Sequence, residues 1–117
     1  MNKDDTYYLQ HMLDFARKIE ALKRKQTRQT YDADETLRVT FTHWLQVIGE
    51  AARLISQPSQ DANPQIPWRA MIGMRNRIVH DYLGIDDNIV WETITLRIPE
   101  LVAELEKLLP SGDVDDP

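Results

Sequence analysis

The sequence predicts an all-α fold, an antiparallel bundle of four to five helices, and three observations carry that expectation. Apolar residues recur every three to four positions over long stretches, the period that gathers them on one face of a helix. No stretch alternates apolar and polar residues as a strand does, and no Asn-Gly pair marks a hairpin. A chain of 117 residues without an internal repeat has room for one core. One domain over residues 1–110 is therefore expected, with an acidic, disordered tail over 111–117.

Asp4 or Asp5 can cap a first helix, whose stripe of Tyr8, Met12, Phe15, Ile19 and Leu22 runs to about Lys25. A polar connection leads to a second helix, capped by Asp32 or Asp34, with Leu37, Phe41, Trp44, Leu45, Ile48, Ala52 and Ile55 on its buried side. Residues 56–67 carry three prolines and read as a long loop. Pro67 suits the first position of a third helix over 68–83, where a missing N–H costs nothing, and Gly84 can stop it. Asp86, Asp87 or Asn88 can cap a fourth over 89–97, and Pro99 either kinks this helix or opens a fifth over 99–109. Gly49 and Gly73 fall inside helices at about 1 kcal/mol each relative to alanine, for which close helix approach is the usual reason. Trp44, Trp68 and Trp91 lie on apolar stripes, as core residues rather than base-stacking platforms.

With 42% hydrophobic and 28% charged residues the composition is that of a soluble globular protein. No apolar run is long enough to span a membrane and the N-terminus has no signal-peptide core, so a cytoplasmic location is expected. The absence of cysteine excludes disulfides, thiolate metal sites and cysteine nucleophiles. His11, His43 and His80 are scattered and no HExxH occurs, so neither a metal site nor any other cofactor is expected. The net charge of −5 disfavours non-specific nucleic-acid binding, yet Arg17, Lys18, Lys23, Arg24, Lys25 and Arg28 form a local basic stripe. That stripe is either a solvated helix end or an RNA contact.

The chemistry concentrates on the third helix. Trp68, Ile72, Val79 and Tyr82 line one face with Met71 and Ile78 on its flank, and Arg75 falls in the middle of it. A guanidinium there cannot deprotonate and needs a carboxylate, a phosphate or a subunit boundary beside it. His80 lies about 140° around the helix from Arg75 and about one and a half turns along. Asn76 shares the His80 face and Tyr82 the Arg75 face. Histidine can move protons near neutral pH, and arginine can clamp a phosphate and stabilise developing charge. RNA brings its own nucleophile, the 2′-hydroxyl, so this pair suffices in principle for cleavage by internal transesterification. Glu50, opposite the apolar stripe of the second helix, can pair with Arg75 across a subunit boundary or stay solvated.

The segment IPWRAMIGMRNRIVHDYLGID, with FTHWLQVIGEAARLIS before it and IVWETI after it, resembles the HepT-like branch of the HEPN superfamily. The extended signature, Arg-Asn, three residues, His, one residue, Tyr, is complete at Arg75, Asn76, His80 and Tyr82. The resemblance implies a HEPN helical bundle, homodimeric, and a metal-independent endoribonuclease. It also implies the toxin role in a type VII-like toxin–antitoxin pair with a minimal nucleotidyltransferase. Arg75 and His80 would be catalytic and Asn76 accessory, while Tyr82 would be the site at which the antitoxin attaches adenylyl groups to silence the nuclease. A dimer cleft would bring Arg75 of one subunit beside His80 of the other, and a larger complex with the antitoxin would follow. The competing expectation is a non-catalytic, nucleotide-binding or regulatory subunit of a nucleotidyltransferase complex.

Overall fold

A computed structural model describes residues 1–81 and 83–109. Tyr82 and the acidic tail lie outside the described residues. Seven α-helices follow one another: α1 (Lys3–Lys23), α2 (Arg28–Ala33), α3 (Glu35–Leu54), α4 (Gln57–Ala62), α5 (Trp68–His80), α6 (Asp87–Glu92) and α7 (Ile98–Leu108). A π turn, Thr93–Arg97, joins the last two. No strand occurs among the described residues. The expected bundle is present: α1, α3, α5 and the composite α6–π–α7 are its four rods, with α3 packed between α1 and α5, and α7 against α1. Among the described residues no helix is long and apolar enough to cross a membrane.

Each rod is oriented by a slightly different set of residues than the sequence suggests. On α1 the fully buried positions are Leu9, Met12, Leu13, Ala16 and Ile19, while Tyr8, Phe15 and Leu22 are half-buried at the margin. On α3 the buried stripe is Leu37, Phe41, Leu45, Ile48, Ala52 and Ile55, with Trp44 only partly covered. Asp34 is the cap of α3, its carboxylate accepting the Leu37 N–H. Trp68 is buried and donates its indole N–H to the Asn63 carbonyl; Trp91 packs against the core beside Tyr31.

Two short helices occupy segments that read as connections. Thr27 and Thr30 cap α2 reciprocally, a threonine standing where the sequence rule looks for Glu or Gln. This helix seats Tyr31, fully buried, against Phe41 and Trp91. In the proline-rich stretch, Ser56 caps α4 and Pro58 falls in its first turn. Pro99 falls in the first turn of α7, the position expected of a proline that opens a helix; its ring crowds the carbonyl four residues earlier, and the wider π turn just before it keeps the backbone helical into α7.

Asp5 is not the cap of α1; Asn2 is, accepting the Asp5 N–H at 2.7 Å. Asp5 itself is buried and accepts the Ser56 N–H at 2.9 Å, the Ser56 hydroxyl at 2.6 Å and the Ser59 hydroxyl at 2.5 Å. It thereby ties the start of α1 to the start of α4 and sets α1 antiparallel to α3. Burial pushes its carboxyl up, but the serine donors outweigh this and hold the pKa below the ordinary value. A depressed carboxylate stabilises the fold above its unfolded pKa and loses that contribution as pH falls through the folded pKa. Asp5→Asn is therefore expected to cost about 2 kcal/mol at neutral pH, measured by urea denaturation. The gap from wild type should close below about pH 4; a gap independent of pH would contradict this account.

Candidate active site

The residues singled out on the third helix sit on α5, but its core face differs from the expected one. Trp68, Met71, Met74 and Ile78 are buried, whereas Ile72 and Val79 are only partly so. Arg75 consequently stands beside the core face rather than within it, against α3. The contact is close because residue 49 is glycine. A Cβ there would collide with Arg75 Cβ and stand 2.6 Å from the Met71 carbonyl oxygen. Gly73 is different: a Cβ there meets nothing within 4 Å among the described residues, so close approach does not explain this glycine.

Glu50, next to that glycine, reaches Arg75 within the same chain, Oε1 lying 2.9 Å from Nε. No subunit boundary is needed for the pair, and Glu50 is not simply solvated. Its other oxygen accepts Arg53 Nη2 at 2.6 Å. The Arg53 hydrogen bond, reinforced by the charges of Arg53 and Arg75, outweighs partial burial and lowers the Glu50 pKa, so the carboxylate is charged at neutral pH. The buried Nε–H of Arg75 points off the line to Glu50 and makes no hydrogen bond among the described residues. Charge rather than a directed hydrogen bond joins the two, and at their exposure such a pair is worth about 1 kcal/mol or less. Arg75 Nη1 donates to Asn76 Oδ1 at 3.0 Å. The guanidinium is thus steadied at two nitrogens while its side chain keeps a quarter of its surface open.

His80 is the last residue of α5 and is exposed. The helix stops there, three residues short of expectation. The Asp81 N–H closes onto the Arg77 carbonyl at 2.8 Å and the Gly84 N–H onto the Asp81 carbonyl at 2.9 Å. Gly84 has no positive φ and is not a left-handed cap. No described contact joins His80 to Arg75. Tyr82 lies outside the described residues.

The basic stripe stands apart from this group. Arg17 pairs with Glu106 at 3.0 Å, and Arg28 with Asp32 at 2.8 Å and with Asn88 Oδ1 at 2.7 Å. Lys18 lies over Phe15 and Lys23 over Trp91, at 4.8 and 5.0 Å. Arg24 and Lys25 are exposed and make no ion pair among the described residues. Glu50 shares a groove with Tyr7 and His11 at the other end of α1, so Lys23 lies roughly 18 Å beyond that end.

Arg53 is absent from the sequence expectations, whereas Gly49 marks a close helix approach as expected. The Glu-x-x-Arg spacing in IGEAAR is a legible signal for the first, since residues three apart on a helix meet. The second rests on the generic helical-glycine argument. Chemically, the arrangement offers one steadied cation, one amide and an accessible imidazole on a single helix. Among the described residues no group of His, Asp or Glu is placed to hold a metal ion.

The "Ribonuclease HepT-like" family model matches residues 12–108. A Thermococcus cleftensis protein named "Probable ribonuclease HepT" is 31% identical over 108 residues, covering 92% of this chain and 98% of its own. Proteins of Caldanaerobacter subterraneus and Methanocaldococcus jannaschii, each with a provisional RNase name, are 29% identical over 102 and 107 residues. These alignments cover 87% and 92% of this chain and 91% and 88% of theirs. No solved structure matches the chain.

Proposed function

The chain belongs to the HepT-like ribonuclease family, and from that premise we propose that it is a metal-independent endoribonuclease, the toxin of a pair whose antitoxin is a minimal nucleotidyltransferase. The observation that carries the chemistry is the setting of Arg75: Glu50 and Asn76 steady its guanidinium while part of it faces outward, the arrangement a phosphate clamp needs. His80 is the general base. It takes the proton from a ribose 2′-hydroxyl, whose oxygen then bonds to the adjacent phosphorus as the bond to the 5′ oxygen breaks. Arg75 stabilises the charge that gathers on the phosphoryl oxygens, and a proton returns to the leaving 5′ oxygen.

Arg75 turns toward α3 and His80 ends α5, and no described contact joins them, which supports a site composed from two chains. In such a homodimer Arg75 of one subunit serves with His80 of the partner subunit. Arg24 and Lys25 remain available to more distant phosphates. Tyr82, two residues beyond His80, is the adenylylation site in this reading: nucleotide there places phosphate where RNA phosphate must bind and adds negative charge.

Incubation of the purified protein with transfer RNA or total RNA in EDTA tests the reading. Cleavage leaving 2′,3′-cyclic phosphate ends is expected, and co-expression with the antitoxin should add adenylyl mass on Tyr82 and suppress cleavage. Products with 3′-hydroxyl ends, or a strict need for added metal, would sink the mechanism.

A further inference from the structure

Between the N-terminal half of α1 and the C-terminal half of α3 runs a groove of about 340 Å³, within the size range of ligand sites, which begins near 300 Å³. One wall is aromatic. Tyr7 is 60% exposed, yet its ring is held edge-on by His11 at 4.6 Å and by Tyr8 at 5.4 Å. The facing wall, from α3, presents the apolar side chains of Val47, Ala51 and Leu54 together with His43, Gln46 and Glu50. Rings on one side, and on the other an apolar surface edged by an imidazole, an amide and a carboxylate, suit the face and rim of a flat heterocycle. Glu50 lines the groove and also touches Arg75, which does not line it, so the carboxylate links the groove to the guanidinium.

We infer that this groove is a nucleobase subsite, holding an unpaired base of the RNA strand whose phosphate Arg75 clamps. Tyr7 is its stacking platform, and His43 and Gln46 read the base edge. The inference rests on the ribonuclease reading above. It also answers a difficulty in that reading: the chain carries a net charge of −5, and its basic stripe lies at the far end of α1. Stacking on an aromatic side chain needs no charge and is how unpaired RNA bases are commonly held.

Binding of a fluorescent single-stranded 2′-O-methyl oligonucleotide tests this, because that probe cannot undergo transesterification and reports occupancy whether or not the protein cleaves. Tyr7→Ala should weaken binding about tenfold and Tyr7→Phe by less than about twofold. In a series of probes each lacking one base, one position should lose the same factor on wild type and nothing further on Tyr7→Ala. Tyr7 is well exposed, so the variant is expected to fold. Failure of the wild type to bind the probe, unchanged binding by Tyr7→Ala, or base and tyrosine losses that multiply at every position would each overturn the subsite. So would conversion of a dimer to monomers by Tyr7→Ala with binding per subunit unchanged, which would give the groove to a second copy of the chain. Probe binding that follows this pattern, together with no cleavage of natural RNA, would remove the nuclease and leave the subsite standing.

Discussion

His80→Ala is expected to lower the rate of RNA cleavage by about 100- to 10,000-fold, the range a positioned general base contributes. The fold should be untouched, because His80 is exposed, ends its helix and makes no side-chain hydrogen bond among the described residues. That combination makes the variant informative: urea denaturation should superimpose on wild type while product formation disappears. The loss should fall on kcat with KM little changed, since the imidazole acts on a proton and not on the strand's charge. Persistent full activity in EDTA would remove His80 from the chemistry, and with it the transesterification scheme.

The second large effect is expected at a residue without a side chain. Gly49→Ala places a methyl group against Arg75 Cβ and the Met71 carbonyl, both fixed parts of α5 rather than the free end of a flexible chain. The helices must separate, at about 1–3 kcal/mol for overpacking. Separation also withdraws Arg75 from Glu50, and a misplacement near 1 Å can cost on the order of 100-fold in rate. Reduced stability and a rate loss beyond that of Arg53→Ala, which removes only one partner of Glu50, are the expected readouts. Gly73→Ala is the internal control: with open space at its Cβ it should gain about 1 kcal/mol of helix stability and keep its activity. A Gly49→Ala protein as stable and active as wild type would show that the tight α3–α5 contact is not what holds Arg75.

The helical periods were legible because burial imposes them, and they locate all four rods. Their exact facing was not. On α5 the choice between Trp68, Ile72, Val79 and Trp68, Met71, Met74, Ile78 turns on which neighbour each residue meets, and composition favours neither. The small helices escaped notice because threonine and serine perform the capping: Thr30 does in α2 what a glutamate does in the familiar motif, and a proline-rich stretch hides Ser56. Asp5 looked like a cap because acidic residues at helix starts usually are; its partners lie 51 to 54 residues away in sequence, beyond the reach of any local rule. At the site, the sequence isolates Arg75 as a charge that needs a partner but leaves the partner's subunit open. The answer depends on Gly49, whose missing side chain lets Arg75 pass close enough to Glu50 of its own chain.

The knot that Asp5 makes with Ser56 and Ser59 also bears on the order in which the molecule is made. Its last member, Ser59, precedes Arg75 in the chain and so leaves the ribosome ahead of it, together with all of α1 and α3. Arg75, Asn76 and His80 emerge afterwards, on a helix that docks against α3. In synthesis, the support for the site precedes the site, and the nascent protein acquires its chemistry late.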